Sequence, residues 1–358
     1  MTEAIEQIAI KESWSVPGSY GDVLFEYAAV REFGSGLIDL SPRGRMLVSG
    51  TEAVQFLNGL ITNDMKTLAE NSWMPAAFPN VQGRLIASVR VIRLKDEGTA
   101  CPAFLIDTEA ATHERVRKAI ERFTLAGDFR VNDITTQTTH LSVQGKKAAK
   151  VIGSIIGEEA AGLPPNSAKQ LTWQESEVTV VRATHTAEDG FDLIANVVAA
   201  KELWDALRDA GARPVGYDAL EILRIEAGLP QYGVDMDDSN VVTEAALDTA
   251  VSYTKGCYVG QEIIARIKYR GHVAKKLSRV VFDQAAKIEA GMTIRSTEGK
   301  EAGRITSTTY SPHLGHTIAL GYLKYEYIAA GTNVKIIAHD EEIPGQVSDL
   351  PFVRGTSV

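Results

Sequence analysis

The densest chemistry in the 358-residue sequence stands at Lys255-Gly256-Cys257-Tyr258-Val259-Gly260-Gln261-Glu262. Neighbouring cations stabilise a thiolate, so Cys257, with Lys255 beside it and Arg266 further on, can serve as a nucleophile or redox handle. A buried, inert cysteine fits the same text. Two glycines let the backbone turn sharply or approach a ligand, and Gln261-Glu262 suits the start of a helix. Behind this segment, Ile263 to Phe282 carries Arg266, Lys268, Arg270, Lys275, Lys276 and Arg279 and no acid, whereas Tyr217 to Glu262 holds nine acids against two basic residues. Such a basic stretch focuses a field on a small polyanion. A solvated face paired with the neighbouring acids has the same composition.

Other chemistries find no matching residues. The seven histidines are scattered, His313 and His316 being the closest pair, and there is no HExxH, Cys/His cluster, P-loop or GxSxG elbow, so no metal site is expected. Cys101 and Cys257 form neither a CxxC pair nor a disulfide framework, which points to a reducing cytoplasm. A net charge of −9 disfavours a nucleic-acid partner. No run of about 18 apolar residues occurs, and Met1 to Trp14 lacks the basic and apolar regions of a secretory signal, so neither membrane nor export is expected.

The elements that must position these groups follow from periodicity, and the length suits two to three domains. Gly36 to Ser49 reads as strand, turn, strand. A helix over about 52–61 starts at Thr51 as N-cap. Apolar runs at Pro75–Phe78, Leu85–Leu94 and Ala103–Ile106 predict an antiparallel sheet, and Val116, Ile120 and Phe123 a helix beginning at Thr112. Thr139–Val143, Val178–Thr184 and Phe191–Val197 predict strands, Lys146–Ile156 and the segment around Leu203-Trp204 and Leu207 helices. Asp218–Gly228 is a further helix with Gly228 just past its end. Beyond Leu277, alternating Val/Ile/Thr segments broken by Gly predict a small β domain, a barrel or jelly roll.

The run from Lys255 to Glu262, continued by Ile-Ile-Ala-Arg266-Ile-Lys268-Tyr269-Arg270-Gly271, closely resembles the K-G-C-Y-x-G-Q-E-x-x-A-R-x-x-x-R-G signature of the YgfZ family of folate-binding proteins. Phe56-Leu-Asn-Gly-Leu-Ile-Thr-Asn63-Asp64 and Leu223-Arg224-Ile-Glu226-Ala-Gly-Leu-Pro-Gln-Tyr232-Gly233 are similar both to YgfZ and to its relative, the aminomethyltransferase (T protein) of the glycine cleavage system. The resemblance implies an α+β, T-protein-like ring of three domains, with antiparallel sheets, covering helices and a C-terminal β-barrel. Residues 1–50 with 135–272 form the folate-binding domain, 51–134 a second α+β domain and 273–358 the barrel. Tetrahydrofolate or a derivative is the implied cofactor. In the T protein a carboxylate in a Gly-aromatic-Glu-Ile segment grips the pteridine, and the matching text Gly190-Phe191-Asp192-Leu193 gives Asp192 that role. Lys255, Tyr258, Arg266, Lys268 and Arg270 join the implied binding set, the last three attracting the glutamate tail or a client protein. Glu226 anchors a helix beside the pocket.

Three departures shape the expected function. The T protein carries Asp-Asp-Leu after an Asn-x-x-Gly-Gly turn, but this chain reads Asn80-Val-Gln-Gly83-Arg84-Leu-Ile-Ala87-Ser88, with no carboxylate at 87 or 88. Leu220 stands for an arginine, and Asp107-Thr108-Glu109 for a segment with an asparagine. Methylene transfer needs a base or electrostatic partner at the folate N5/N10 edge. The expectation is therefore a YgfZ-type tetrahydrofolate-binding protein that supports maturation or repair of iron–sulfur proteins, with Cys257 as reactive group and iron–sulfur client or assembly proteins as partners. The alternative is a folate-dependent aminomethyltransferase in which another acid supplies what Ala87 and Ser88 lack. A third reading is a scaffold that docks partner proteins at the channel rim.

Overall fold

The computed structural model describes residues 16–95, 101–122, 124–125, 127–282, 287–338, 341–349 and 351–356, so Met1–Trp14 and Phe123 lie outside it. Helix α1 (Val23–Ala28) starts at Asp22, whose carboxylate accepts from the Leu24 and Phe25 N–H groups, and runs on into a π-turn over Ala29–Phe33. Strands β1 (Gly36–Asp39) and β2 (Gly44–Ser49) form where expected but pair in different sheets, so the turn between them crosses from one sheet to the other.

Next come α2 (Ala53–Leu60), β3 (Ser72–Pro79), β4 (Leu85–Arg93), β5 (Ala103–Thr108), α3 (His113–Glu121) and β6 (Arg130–Asp133). They complete a five-stranded antiparallel sheet of order β3-β4-β5-β2-β6. Thr51 does not cap α2; its N–H and hydroxyl both bind Asp128, and the helix begins two residues later. Elements β7 (Thr138–Gln144), α4 (Ala148–Ile155), α5 (Glu158–Ala161), β8 (Ala168–Trp173), β9 (Ser176–Arg182), β10 (Gly190–Asn196), α6 (Ala200–Asp209) and β11 (Arg213–Pro214) build a six-stranded sheet of order β11-β1-β7-β10-β9-β8. Helix α7 (Tyr217–Ala227) ends at Gly228, which takes the left-handed conformation (φ 69°) open to glycine at little cost. After α8 (Gln261–Arg270), strands β12 (Lys275–Phe282), β13 (Thr293–Ser296), β14 (Glu301–Ser311), β15 (His316–Lys324), β16 (Asn333–Ala338) and β17 (Glu341–Ser348) close a barrel. The α+β class and the C-terminal barrel are as expected, and the jelly-roll alternative is excluded.

Each sheet buries one face under helices. Leu141, Val143, Phe191 and Leu193 pack beneath Ile152, Leu203 and Leu207 of α4 and α6. Ala87, Val89, Phe104 and Ile106 pack beneath Leu57, Val116 and Ile120 of α2 and α3. The other faces meet each other, with Ile92 and Leu105 of the five-stranded sheet against Val181 and Ile194 of the six-stranded one.

Candidate functional site

The layer between the sheets is apolar at one end and ionic at the other. A strand alternates its side chains between faces. With Phe191 and Leu193 turned to the helices, Asp192 must face the other sheet, as must His140, Ser142 and Gln144 of β7. On the opposing strands the same rule brings Arg90 and Asp107 inward. Arg43, from the turn that crosses between sheets, grips Asp107 with two hydrogen bonds, Nε to Oδ1 at 2.8 Å and Nη2 to Oδ2 at 3.0 Å. Arg90 Nε donates to Asp107 Oδ2 at 2.7 Å, and its Nη2 lies 2.6 Å from Asp192 Oδ2. His185 Nε2 is 3.1 Å from both Asp192 oxygens, and His140 Nε2 is 3.3 Å from one. Asp107, His140 and Asp192 have no solvent exposure.

Burial opposes charge here, and the cations decide the outcome. Burial alone raises the Asp192 carboxyl, but His185 and Arg90 overcome it and hold it well below the usual carboxylate range. Arg43 and Arg90 likewise outweigh burial at Asp107 and lower it. At His140 burial wins and pushes the imidazole down despite Asp192. Two arginines stand against two aspartates at this ionic end of the layer.

His185 and Arg43 also line a cavity of about 610 Å³, closed on its other sides by Glu109, Glu221, Arg224 and Tyr232. That volume suits a small-molecule ligand. Glu221 is taken by Arg224, which donates to both its oxygens. Glu109 differs: one oxygen accepts the Tyr232 N–H at 3.0 Å and the other has no hydrogen-bond partner among the described residues, while burial pushes its carboxyl up against the pull of Arg43.

Most residues singled out from the sequence are spent within the protein. Asp192 offers the cavity neither oxygen. Glu226 is buried away from it, accepting from the Tyr27 hydroxyl, Arg31 Nη2 and the Ser311 hydroxyl. Lys255 Nζ donates to the carbonyls of Asn58, Ile61 and Asn63 at 2.7, 2.9 and 2.6 Å, closing the C-terminal end of α2. Burial lowers this ammonium to about 8. Tyr258 packs with Leu85, Tyr232 and Ile264. Cys257, Arg266, Lys268 and Arg270 are exposed on and before α8, and none lines the cavity. Of the other basic residues, Lys276 pairs with Asp248 and Arg279 is buried with Nη2 on the Gly228 carbonyl. Among the described residues no His/Cys/Asp/Glu group is arranged to hold a metal ion, and no helix is long and apolar enough to cross a membrane.

Residues 6–255 match the family model of the GCVT N-terminal domain, and residues 275–354 that of the glycine cleavage T-protein C-terminal barrel domain. The chain belongs to the glycine cleavage T-protein family. Aminomethyltransferases of that name from Rubrobacter xylanophilus and Thermotoga neapolitana are 30% and 28% identical to it, over 95% and 96% of this chain and 89% and 93% of theirs. The crystal structure of the glycine cleavage system aminomethyltransferase T from Bartonella henselae superposes with a TM-score of 0.86 at 24% identity, covering 96% of this chain and 93% of that one, and so shares the T-protein fold. These findings overturn the expected YgfZ-type role in iron–sulfur maturation, and the iron–sulfur partners have no support. The structure supplies a physical reason. The signature that suggested YgfZ works here as a joint, in which Lys255 closes α2, Tyr258 fills a core and Gly260 (φ 76°) starts α8 where a Cβ would meet the Asn80 carbonyl at 2.4 Å.

Within this T-protein family member, sequence reasoning missed Arg43, Arg90, His140 and His185 as site residues. The alternation His140-Leu-Ser142-Val-Gln144 was the available signal, but alone it describes an ordinary half-exposed strand.

Proposed function

We propose that this chain is a folate-dependent aminomethyltransferase that moves a one-carbon unit onto tetrahydrofolate, acting in the reducing cytoplasm that its two unpaired cysteines suit. The observation that carries this reading is the cavity of about 610 Å³ walled by both sheets' loops and α7, with Glu109 presenting an unengaged carboxylate oxygen. A carboxylate accepts parallel hydrogen bonds from the amino and ring N–H donors of a pterin. Asp192, by position the expected anchor, is fully buried behind His185, so Glu109 takes the pterin and Asp192 reaches it only through His185. Support comes also from family membership and from near full-length relatives named aminomethyltransferase.

Calorimetric titration with 5-formyltetrahydrofolate, together with methylenetetrahydrofolate formation from an aminomethylated lipoyl carrier protein, tests it. Saturable binding that Glu109→Gln weakens by about tenfold or more, the effect of one charge-assisted hydrogen bond, is expected. Absence of folate binding by the native chain would sink the reading.

A further inference from the structure

The cavity holds an imidazole already oriented for proton transfer. His185 Nε2 faces both oxygens of Asp192 at 3.1 Å, and the His185 backbone N–H donates to the Gln144 side-chain oxygen at 3.0 Å. Nδ1 has no hydrogen-bond partner among the described residues, and the residue lines the cavity. Asp192 is in turn immobilised by Arg90 and His140. A carboxylate on one ring nitrogen fixes the tautomer, leaving the other nitrogen to take and return protons. Resting on the aminomethyltransferase reading above, we infer that His185 is the acid–base residue of the transfer, with Asp192 as its positioning residue, in a chain whose Ala87 and Ser88 provide no carboxylate.

The chemistry balances over two displacements. In the first, a tetrahydrofolate nitrogen bonds to the methylene as the carbon–sulfur bond breaks; Nδ1 accepts the N–H proton and passes it to the departing sulfur, giving a thiol. In the second, the other folate nitrogen bonds to the same carbon as its bond to the amino group breaks, and the proton again passes through Nδ1, leaving as part of ammonia. His185 ends each displacement as it began, and no redox partner is required. Of the other charged groups lining the cavity, Arg43 pairs with Asp107 and Glu221 with Arg224, Glu109 is committed to the pterin, and Asp218 stands in the first turn of α7.

The test compares native protein, His185→Ala and Asp192→Asn for kcat and KM in methylenetetrahydrofolate formation, with and without added imidazole. Because His185 lies at the cavity wall, its replacement leaves the buried pairs Arg43–Asp107 and Arg90–Asp192 in place. His185→Ala is expected to lower kcat by about 10²- to 10⁴-fold with KM for tetrahydrofolate little changed, and free imidazole to restore part of the rate. Asp192→Asn should lower kcat while imidazole restores nothing. Native-level kcat in His185→Ala overturns the assignment of His185 alone. Turnover absent from the native protein overturns the aminomethyltransferase reading, and the assignment with it.

Discussion

Arg90 touches two buried carboxylates, Asp107 and Asp192, and so bridges the two sheets. Replacing it leaves two anions in a dry layer with one arginine, Arg43, which reaches Asp107 alone. Removing one partner of a buried ion pair typically costs about 3–5 kcal/mol. Arg90→Met should therefore shift urea unfolding by about that much, and Arg90→Lys should recover only part, since an ammonium cannot fork between two carboxylates. A second outcome concerns acid. The lowered His140 imidazole stays neutral in the folded state while the unfolded chain takes up a proton, so this contribution is intact above about pH 6.5 and is lost as pH falls below it. The lowered Asp107 and Asp192 carboxyls lose theirs only below about pH 4, in the same direction. Melting temperature should thus decline in two stages on acidification, and His140→Gln should remove the first. An unchanged profile between pH 7 and 5 in both proteins would place the imidazole's proton elsewhere.

Elements were more legible than their partners. Strands and helices followed from period, and α7 with Gly228 beyond it lies within a residue of its sequence reading. The strand-turn-strand at 36–49 was also visible, yet β1 pairs with β7 and β2 with β5, and nothing local announces partners so distant in sequence. For the same reason nothing local shows that the inward face of β7 is covered: His140, Ser142 and Gln144 are buried because a second sheet lies over them. The Lys255 segment failed differently. A lysine beside a cysteine carries the same local chemistry whether it activates a thiolate or closes a helix, and only the Asn58, Ile61 and Asn63 carbonyls decide between these. Lys255→Met should fray α2, losing on the order of 1–3 kcal/mol for charged hydrogen bonds left unmade at its C-terminal end. Hydrogen exchange should accelerate around Leu57–Thr62 while 5-formyltetrahydrofolate affinity is unchanged. A large loss of affinity instead would return Lys255 to the binding site.

At the scale of the molecule, the last two turns of α7 join the cavity to the barrel. Arg224 lines the cavity and reaches Asp235 at 2.7 Å and the Ser307 hydroxyl of β14 at 2.9 Å; Ile225 packs on Leu277, Ile318 and Leu320; Glu226 accepts from Ser311. Arg31, in the π-turn after α1, ties Glu226 to Glu188, whose second oxygen holds the C-terminal tail at Thr356. Two buried ionic knots therefore fasten the barrel, and only one touches the cavity. Asp235→Ala removes the buried partner of Arg224, leaving it held by Glu221 and the Leu229 carbonyl, and strips acceptors from Thr306 and Ser307, so it should cost about 3–5 kcal/mol and also weaken folate binding, because one cation of the cavity wall loses its buried anchor. Arg31→Met leaves Glu188 and Glu226 unpaired, with a similar cost in stability, but the cavity wall stays intact and folate affinity should stay with it. Urea unfolding and calorimetry on both variants separate the two effects. Equal losses of affinity would mean that the barrel's seat, rather than Arg224 itself, shapes the cavity.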